Sequence, residues 1–332
     1  MADNASELAR CAGMIFGFLF HQGRGIRVTD ETLAAHLEDH HDWVWLHFAL
    51  ADHRARRFLE NFAVLSADAR ELILSPEDRI QLHLTPSGAY GLLPDIERDF
   101  ADHSLGPGRL AFWCDAGHLV TARRHPVRAV EGMREVVEKG EEFASPAETL
   151  ARLQEIFITI VEQRLAVLSG ELARIEDEVL ADRDHIGREA LGPLRRELSR
   201  YAREFSALRS AIYRATTMRG AAVGSPLVEH LPVLQQQAED FERDAAGLSD
   251  RARLLYEEIG SRVADRSNRA LSALTVISTL LLPPTFVVGA FGMNVGGIPW
   301  AQAGHGFWMA LGFCVVLVFV GWLVLKRFRI LP

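Results

Sequence analysis

The end of this 332-residue chain lacks charge: from Ala270 to Leu325, 56 residues in a row, there is no Asp, Glu, Lys or Arg. That length of uncharged chain excludes an ordinary soluble core helix and marks a membrane anchor. Cysteine is scarce as well, and Cys11, Cys114 and Cys314 lie far apart without metal-type spacing. Their scarcity excludes a disulfide framework and fits reduced thiols. Basic charge is in deficit: the net charge is −8, and all 44 acidic residues precede Ala270. An acidic body argues against nucleic acid as a partner and against a polybasic lipid-binding surface. No phosphate-binding glycine loop, nucleophile elbow or redox cysteine pair is present, so neither an enzyme nor a prosthetic cofactor is expected. The apolar run Cys11–Phe20 has no basic lead beyond Arg10 and follows Asp3 and Glu7, which predicts a buried strand rather than a signal peptide.

The uncharged region divides at Gly292-Met293-Asn294-Val295-Gly296-Gly297-Ile298-Pro299. It leaves 20 apolar residues before the break (Leu271–Ala290) and 19 after it (Phe307–Leu325), each enough to cross a bilayer as a helix. Arg262, Arg266 and Arg269 precede the first span, Lys326, Arg327 and Arg329 follow the second, and the connecting loop has no cation. Because Lys and Arg are retained on the cytoplasmic side, both termini are expected in the cytoplasm of a bacterial inner membrane, with the loop outside.

Ahead of the spans the hydrophobic period changes once. Residues 1–144 read as a cytoplasmic α/β domain, with strands at Met14–Phe20, Trp43–Leu50, Arg79–Leu84, Ala89–Leu93, Leu110–Cys114 and His118–Arg123 and helices at Thr32–Asp39 and Arg54–Asn61. Strand order does not follow from these patterns. Ser145-Pro146-Ala147-Glu148 is a capping-box start, with Glu148 expected to reach back to the cap residue. From there Val161, Leu165, Leu168, Leu172, Ile175 and Val179 mark one heptad seam. After an expected break at Asp182–Pro193, Leu194, Leu198, Tyr201, Phe205, Leu208 and Ile212 mark a second, and the two predict an antiparallel helix pair. A further break at Gly220–Pro232 precedes a third seam of Phe241, Ala245, Leu248, Ala252, Leu255 and Ile259. No breaker separates that seam from the first span, so one helix from about Leu234 to Ala290 is predicted, forming a rod about 90 Å long. The expected divisions are therefore 1–144, a stalk of long helices at 145–269, and a membrane domain at 270–332.

Two spans cannot enclose a water-filled path, so an ion route requires several copies of the chain around an axis. Counted back from Asn294, Thr285, Leu282, Ser278, Leu274, Leu271 and Asn268 recur every three or four residues on one face of the first span. Such a face suits a pore lining that mixes hydroxyl and amide rings with leucine constrictions. It suits helix–helix hydrogen bonding equally well. Pro283-Pro284 removes two backbone donors and leaves the carbonyls of Thr279 and Leu280 in need of partners.

Gly292-Met293-Asn294 at the outer end of the first of two C-terminal spans resembles the CorA-type divalent cation transporters. The continuation Val295-Gly296-Gly297-Ile298-Pro299, with no carboxylate through Gly306, looks like the zinc-transporting ZntB branch of that family. The resemblance implies a homopentamer with a funnel-shaped cytoplasmic body and Zn2+ as the transported ion. It also implies an outer ring formed by Gly292, Met293 and Asn294, whose amide oxygens face a hydrated cation, and a path lined by Asn268, Leu271, Leu274, Ser278, Leu282 and Thr285. Uptake coupled to protons is what the branch suggests, with export proposed for relatives; a magnesium or cobalt channel is the nearer alternative.

Other candidates are weaker. His36 and His40, four apart on a predicted helix, have spacing for one metal, although an exposed polar helix end explains them as well. His305 is a histidine in the outer loop that can carry a proton or simply be solvated. Asp240, Asp244, Glu257, Glu258 and Asp265 on the third seam can attract cations or form ordinary pairs between helices. A membrane-anchored signalling or scaffold protein is the competing class, but only about a dozen residues would lie outside and no output module is recognisable.

Overall fold

Hydrophobic alternation and turn chemistry build one seven-stranded sheet. The computed structural model describes residues 13–28, 42–97, 107–181, 184–217, 227–293 and 304–327. The strands are β1 (Met14–His21), β2 (Arg24–Val28), β3 (Trp43–Ala49), β4 (Gln81–Thr85), β5 (Gly88–Ile96), β6 (Pro107–Asp115) and β7 (His118–Arg123), in the order β2-β1-β3-β7-β6-β5-β4. Among the described strands only β3 and β7 run parallel; every other pair is antiparallel. β2 went unforeseen because Arg24–Val28 alternates poorly. It pairs with β1 through a two-residue turn in which Gln22 (φ 48°) and Gly23 (φ 83°) both take the left-handed conformation that matches sheet twist.

Both faces of the central strands are buried. Val44, Leu46 and Phe48 meet helices α1 (His53–Asn61) and α2 (Ala67–Leu74) through Ala55, Leu59, Ala69 and Ile73. On the opposite face, Phe16, Phe18, Phe20, Trp43 and Trp45 form an aromatic layer in which Phe16 meets Phe18 and Trp45 edge-on, Phe18 stacks on Trp45, and Phe20 and Trp43 stack with rings 3.7 Å apart. That face carries helix α3 (Arg128–Glu138), which lies across β2 and β5 and buries Val130, Met133 and Val137. Each fully buried aromatic contributes roughly 1.5–3 kcal/mol, so this layer is a principal source of stability. The expected helix Thr32–Asp39 lies outside the described residues. Helices α2 and α3 were not foreseen.

Helix α4 (Pro146–Leu180) begins where Ser145 accepts from the Glu148 amide at 3.2 Å. The Glu148 carboxylate receives the Ala144 amide at 2.7 Å rather than that of the cap residue, so the reciprocal bond is made one residue earlier than expected. Helix α5 (Asp184–Thr217) overturns the predicted break as far as Pro193: Gly192 and Pro193 lie inside the helix. Proline there forfeits one backbone bond, and burial of Leu191, Leu194 and Leu198 outweighs the loss. All twelve residues of the first two seams are buried. The antiparallel pairing is fixed by Phe157 against Phe205 and by Arg164 with Glu197.

Helix α6 (Leu231–Phe291) is continuous for 61 residues, and Pro232 falls in its first turn, where a missing amide costs nothing. It runs antiparallel to α5, with Phe205 on Phe241, Ser199 on Ser249 and Arg209 paired with Glu242 at 2.6 Å. Ala245, Ala252, Leu255 and Ile259 are buried as the third seam requires, whereas Phe241 and Leu248 are half-buried. Helix α7 spans Gly306–Arg327. The described residues fall into two compact units, one drawn from Met1–Asp177 and Glu189–Arg253, the other from Glu178–Arg188 and Leu254–Pro332.

Candidate functional site

In the second unit, α6 and α7 both contain stretches long and apolar enough to cross a membrane. Their contact is one-sided. On α6 the sheltered residues are Val276, Leu280, Pro283, Pro284, Val287 and Ala290. On α7 they are Gly306, Ala310, Cys314, Leu317, Gly321 and Leu325. Gly321 lets the chains approach, because a Cβ there would stand 3.3 Å from Leu280 Cδ2. Cys314 Sγ lies 4.0 Å from the Pro284 carbonyl oxygen. Aromatic side chains mark both ends of α7: Phe307 and Trp308 at its start, and Trp322 beneath the Lys326 ammonium, 5.1 Å from the ring centre, at its finish. Rings of this kind settle at membrane–water interfaces.

The six residues singled out on the first span occupy the other side of α6. Asn268, Leu271, Leu274, Ser278, Leu282 and Thr285 are all exposed, with Leu282 at 70%. At about 100° per residue their mean direction is about 180° from that of the α7-facing residues. One helix thus presents an apolar seam to its neighbour and an uncovered face of mixed leucine and small polar side chains on its opposite side.

Local hydrogen bonding defines what that face offers. Thr285 donates its hydroxyl to the Leu281 carbonyl at 2.8 Å, which leaves its oxygen lone pairs as the outward-facing function. Thr275 and Thr279 do the same to Leu271 and Thr275, both at 2.8 Å. These two hydroxyls flank the six-residue face and were missed by counting back from a single residue; the Thr-x-x-x-Thr spacing was the available signal. Pro283 and Pro284 sit on the α7 side of the helix.

At the C-terminal end of α6, the Gly292 amide donates to Val288 O at 2.9 Å and that of Met293 to Ala290 O at 3.3 Å, closing the helix. Gly292 and Met293 are exposed. Asn294 lies outside the described residues, as do His36 and His40. His305 is exposed immediately before α7, its carbonyl accepting from the Met309 amide. Of the acidic candidates, Asp240 pairs with Arg243 and Glu258 with Arg262 on the same helix. No group of three or more His, Cys, Asp or Glu positioned to hold a metal occurs among the described residues.

A sequence profile described as "CorA-like Mg2+ transporter protein" matches residues 40–327. Over 326 residues the chain is 26% identical to a protein of Pseudomonas aeruginosa named "Divalent cation transporter CmaX", covering 96% of each. It is 25% identical over 211 residues to a "Zinc transport protein ZntB" of Pectobacterium carotovorum, 60% of each. Among solved structures, full-length CmaX superimposes with a TM-score of 0.79 at 25% identity, covering 96% of this chain and 98% of that one. The CorA magnesium transporter of Methanocaldococcus jannaschii gives 0.73 at 15% identity, covering 94% and 97%, a likeness of fold.

Proposed function

Since the chain belongs to the CorA-like Mg2+ transporter family, we propose that it moves divalent metal cations through a membrane, that Zn2+ is its cargo, and that five copies close the path. The observation that carries this reading is the face of α6 turned away from α7. A single helix hairpin leaves that face uncovered, and copies arranged about an axis would convert it into a wall. Asn294, Gly292 and Met293 form the outer ring in this reading, and Asn268, Leu271, Leu274, Ser278, Leu282 and Thr285 line the way inward. Rings of neutral oxygen hold a cation's water shell without binding so tightly that release stops.

Zinc is supported by the absence of a carboxylate from Val295 to Gly306 and by the resemblance to proteins named for zinc transport. Magnesium or cobalt is the second reading, favoured by the profile's own description. The protein sits in a bacterial inner membrane with both termini cytoplasmic, as the cations flanking the spans support, and its three functional parts divide near residues 145 and 270. Transport runs inward and draws on the proton gradient; His305 is the titratable side chain of the connecting loop, and neither span has a carboxylate.

The test is metal flux into proteoliposomes holding the purified protein, comparing Zn2+ with Mg2+ at equal pH and then under an imposed proton gradient. Zinc flux that grows with the gradient is the expected result. Flux of magnesium alone overturns the zinc assignment, and flux of neither overturns transport.

A further inference from the structure

Within the first unit, one carboxyl group is sealed between the sheet and α3, far in sequence from any residue assigned to the ion path. Asp95, on β5, is 2% exposed. Its Oδ1 accepts from the Ile96 amide at 2.6 Å and from the Ala129 amide at 3.1 Å in the first turn of α3. Its Oδ2 is buried without a hydrogen-bond partner among the described residues. Val127, the residue that precedes α3, makes no side-chain cap of its own, so a carboxylate from a strand more than thirty residues earlier holds the end of this helix. The charged and titratable groups on the bordering elements are Arg109, Cys114 and Asp115 on β6, His118 and Arg123 on β7, Arg128, Glu131, Arg134, Glu135 and Glu138 on α3, His47 on β3, Tyr90 on β5 and Glu97 just after it; of these, Arg123 is the one whose charge acts on Asp95. Arg123 reaches Glu131 at 3.7 Å, so its charge is divided between a carboxylate on the helix and one on the sheet.

We infer that Asp95 is a proton-sensitive latch that docks α3 on the sheet, held firmly when neutral and loosened when ionised. The carboxylate makes favourable contacts with the helix amides and dipole, but complete burial, with one oxygen unpartnered, opposes its charge. Burial wins: the group is pushed up to about 7, against an ordinary value of 3.8. A carboxyl raised on folding contributes stability that is complete below its unfolded value and is lost as pH rises through its folded one, here between about pH 4 and pH 7. The local consequence falls on α3 and on what packs over it, since Gly132 of α3 sits close beneath Ile156 of α4. A shift of cytoplasmic pH around neutrality therefore alters the join between sheet and long helices in this unit.

The experiment is hydrogen exchange of the full-length protein in nanodiscs at pH 6 and pH 8, corrected for intrinsic rates, reading the amides of Ala129–Arg134 with those of Leu165–Leu172 in α4 as internal reference. Protection of α3 relative to α4 is expected to fall about tenfold from pH 6 to pH 8, the change in opening that a shift from about 3.8 to about 7 gives across that interval. Asp95→Asn, which keeps the accepting oxygen and cannot ionise, is expected to abolish the pH difference. Equal protection at both pH values in the native protein, or the same tenfold loss in the variant, overturns the latch. If Asp95→Asn folds poorly, infrared titration of the native protein decides: a buried carboxylic acid deionising near neutrality is expected, and no such acid above the ordinary carboxylate range overturns the inference. Neither readout involves metal flux, so the result stands apart from the transport assignment.

Discussion

Thr285 gives its hydroxyl hydrogen to the Leu281 carbonyl, one turn back on the same helix, and turns its oxygen lone pairs toward the uncovered side of α6. A side chain bound this way accepts and does not donate, which is what a passing cation or its positively polarised water requires. Thr285→Val, which keeps the shape and removes the oxygen, is expected to lower metal flux roughly tenfold, equal to about 1.4 kcal/mol of lost stabilisation. Thr285→Ser should retain most of the flux, and Asn294→Ala should abolish it while expression and assembly persist. Flux measured in proteoliposomes checks all three, and normal flux in Thr285→Val would remove the residue from the path.

The two faces of α6 should differ in their access to water. Single cysteines placed at Leu271, Leu274, Ser278, Leu282 and Thr285 in a cysteine-free background are expected to react with a water-soluble thiol reagent and to block flux when modified. Cysteines at Val276, Leu280 and Val287, on the α7-facing side, are expected to react at least tenfold more slowly. Uniform reactivity around the helix would mean that the face is not a channel wall.

Gly91 is a packing requirement of the sheet. A Cβ built on it stands 2.3 Å from the backbone oxygen of Gln81 on the neighbouring β4 and 3.0 Å from the Phe112 ring. Backbone cannot yield as a flexible side chain does, so Gly91→Ala should separate β4 from β5 and cost about 2–4 kcal/mol. A lowered Tm with loss of amide protection in Gln81–Thr85 is the expected signature; an unchanged Tm would show that the strand pair relaxes freely.

His47 makes the first unit sensitive to acid. Its ring is fully buried, stacks on Phe16 and bonds through Nδ1 to Thr121 Oγ1 at 2.9 Å, an oxygen that also accepts from Trp45 Nε1 at 2.9 Å. Burial, and then the nearby Arg123 charge, hold its pKa well below the ordinary 6.5. The stability it contributes is therefore complete above about pH 6.5 and is lost as pH falls below that value. His47→Phe should flatten the decline of Tm between pH 6.5 and pH 5. Asp95 acts in the opposite direction over the same interval, so the difference between native and variant, rather than either curve alone, isolates the histidine.

What the sequence disclosed depended on how local the determining force is. Val161 through Val179 and Leu194 through Ile212 announced their helices because a seam repeating at 3.5 residues needs no knowledge of the partner. The uncharged run announced the spans for the same reason. The α5 break was misjudged at Pro193 because proline's cost is local while the burial that outweighs it comes from helices distant in sequence. β2 was overlooked because Arg24, Gly25 and Arg27 obscure its alternation, and its place is dictated by pairing with β1. The influence of Arg123 on both His47 and Asp95 was invisible because three strands must be assembled in the right order before one guanidinium charge acts on the other two groups.

The turn at Gln22-Gly23 and the strand it creates bear on how the protein behaves in crowded solution. A sheet with free margins recruits other sheets, and among the described residues β2 and β4 are the two margins. β2 meets that hazard with cations held in place, Arg24 on Glu142 and Arg27 on Glu138, each at 2.7 Å, while β4 is only five residues long. An incoming strand would have to displace anchored charge on one side and would find little length to grip on the other. Replacing Arg24 and Arg27 with apolar residues would thus leave the fold nearly unaltered and turn one margin into a seed for fibrillar association.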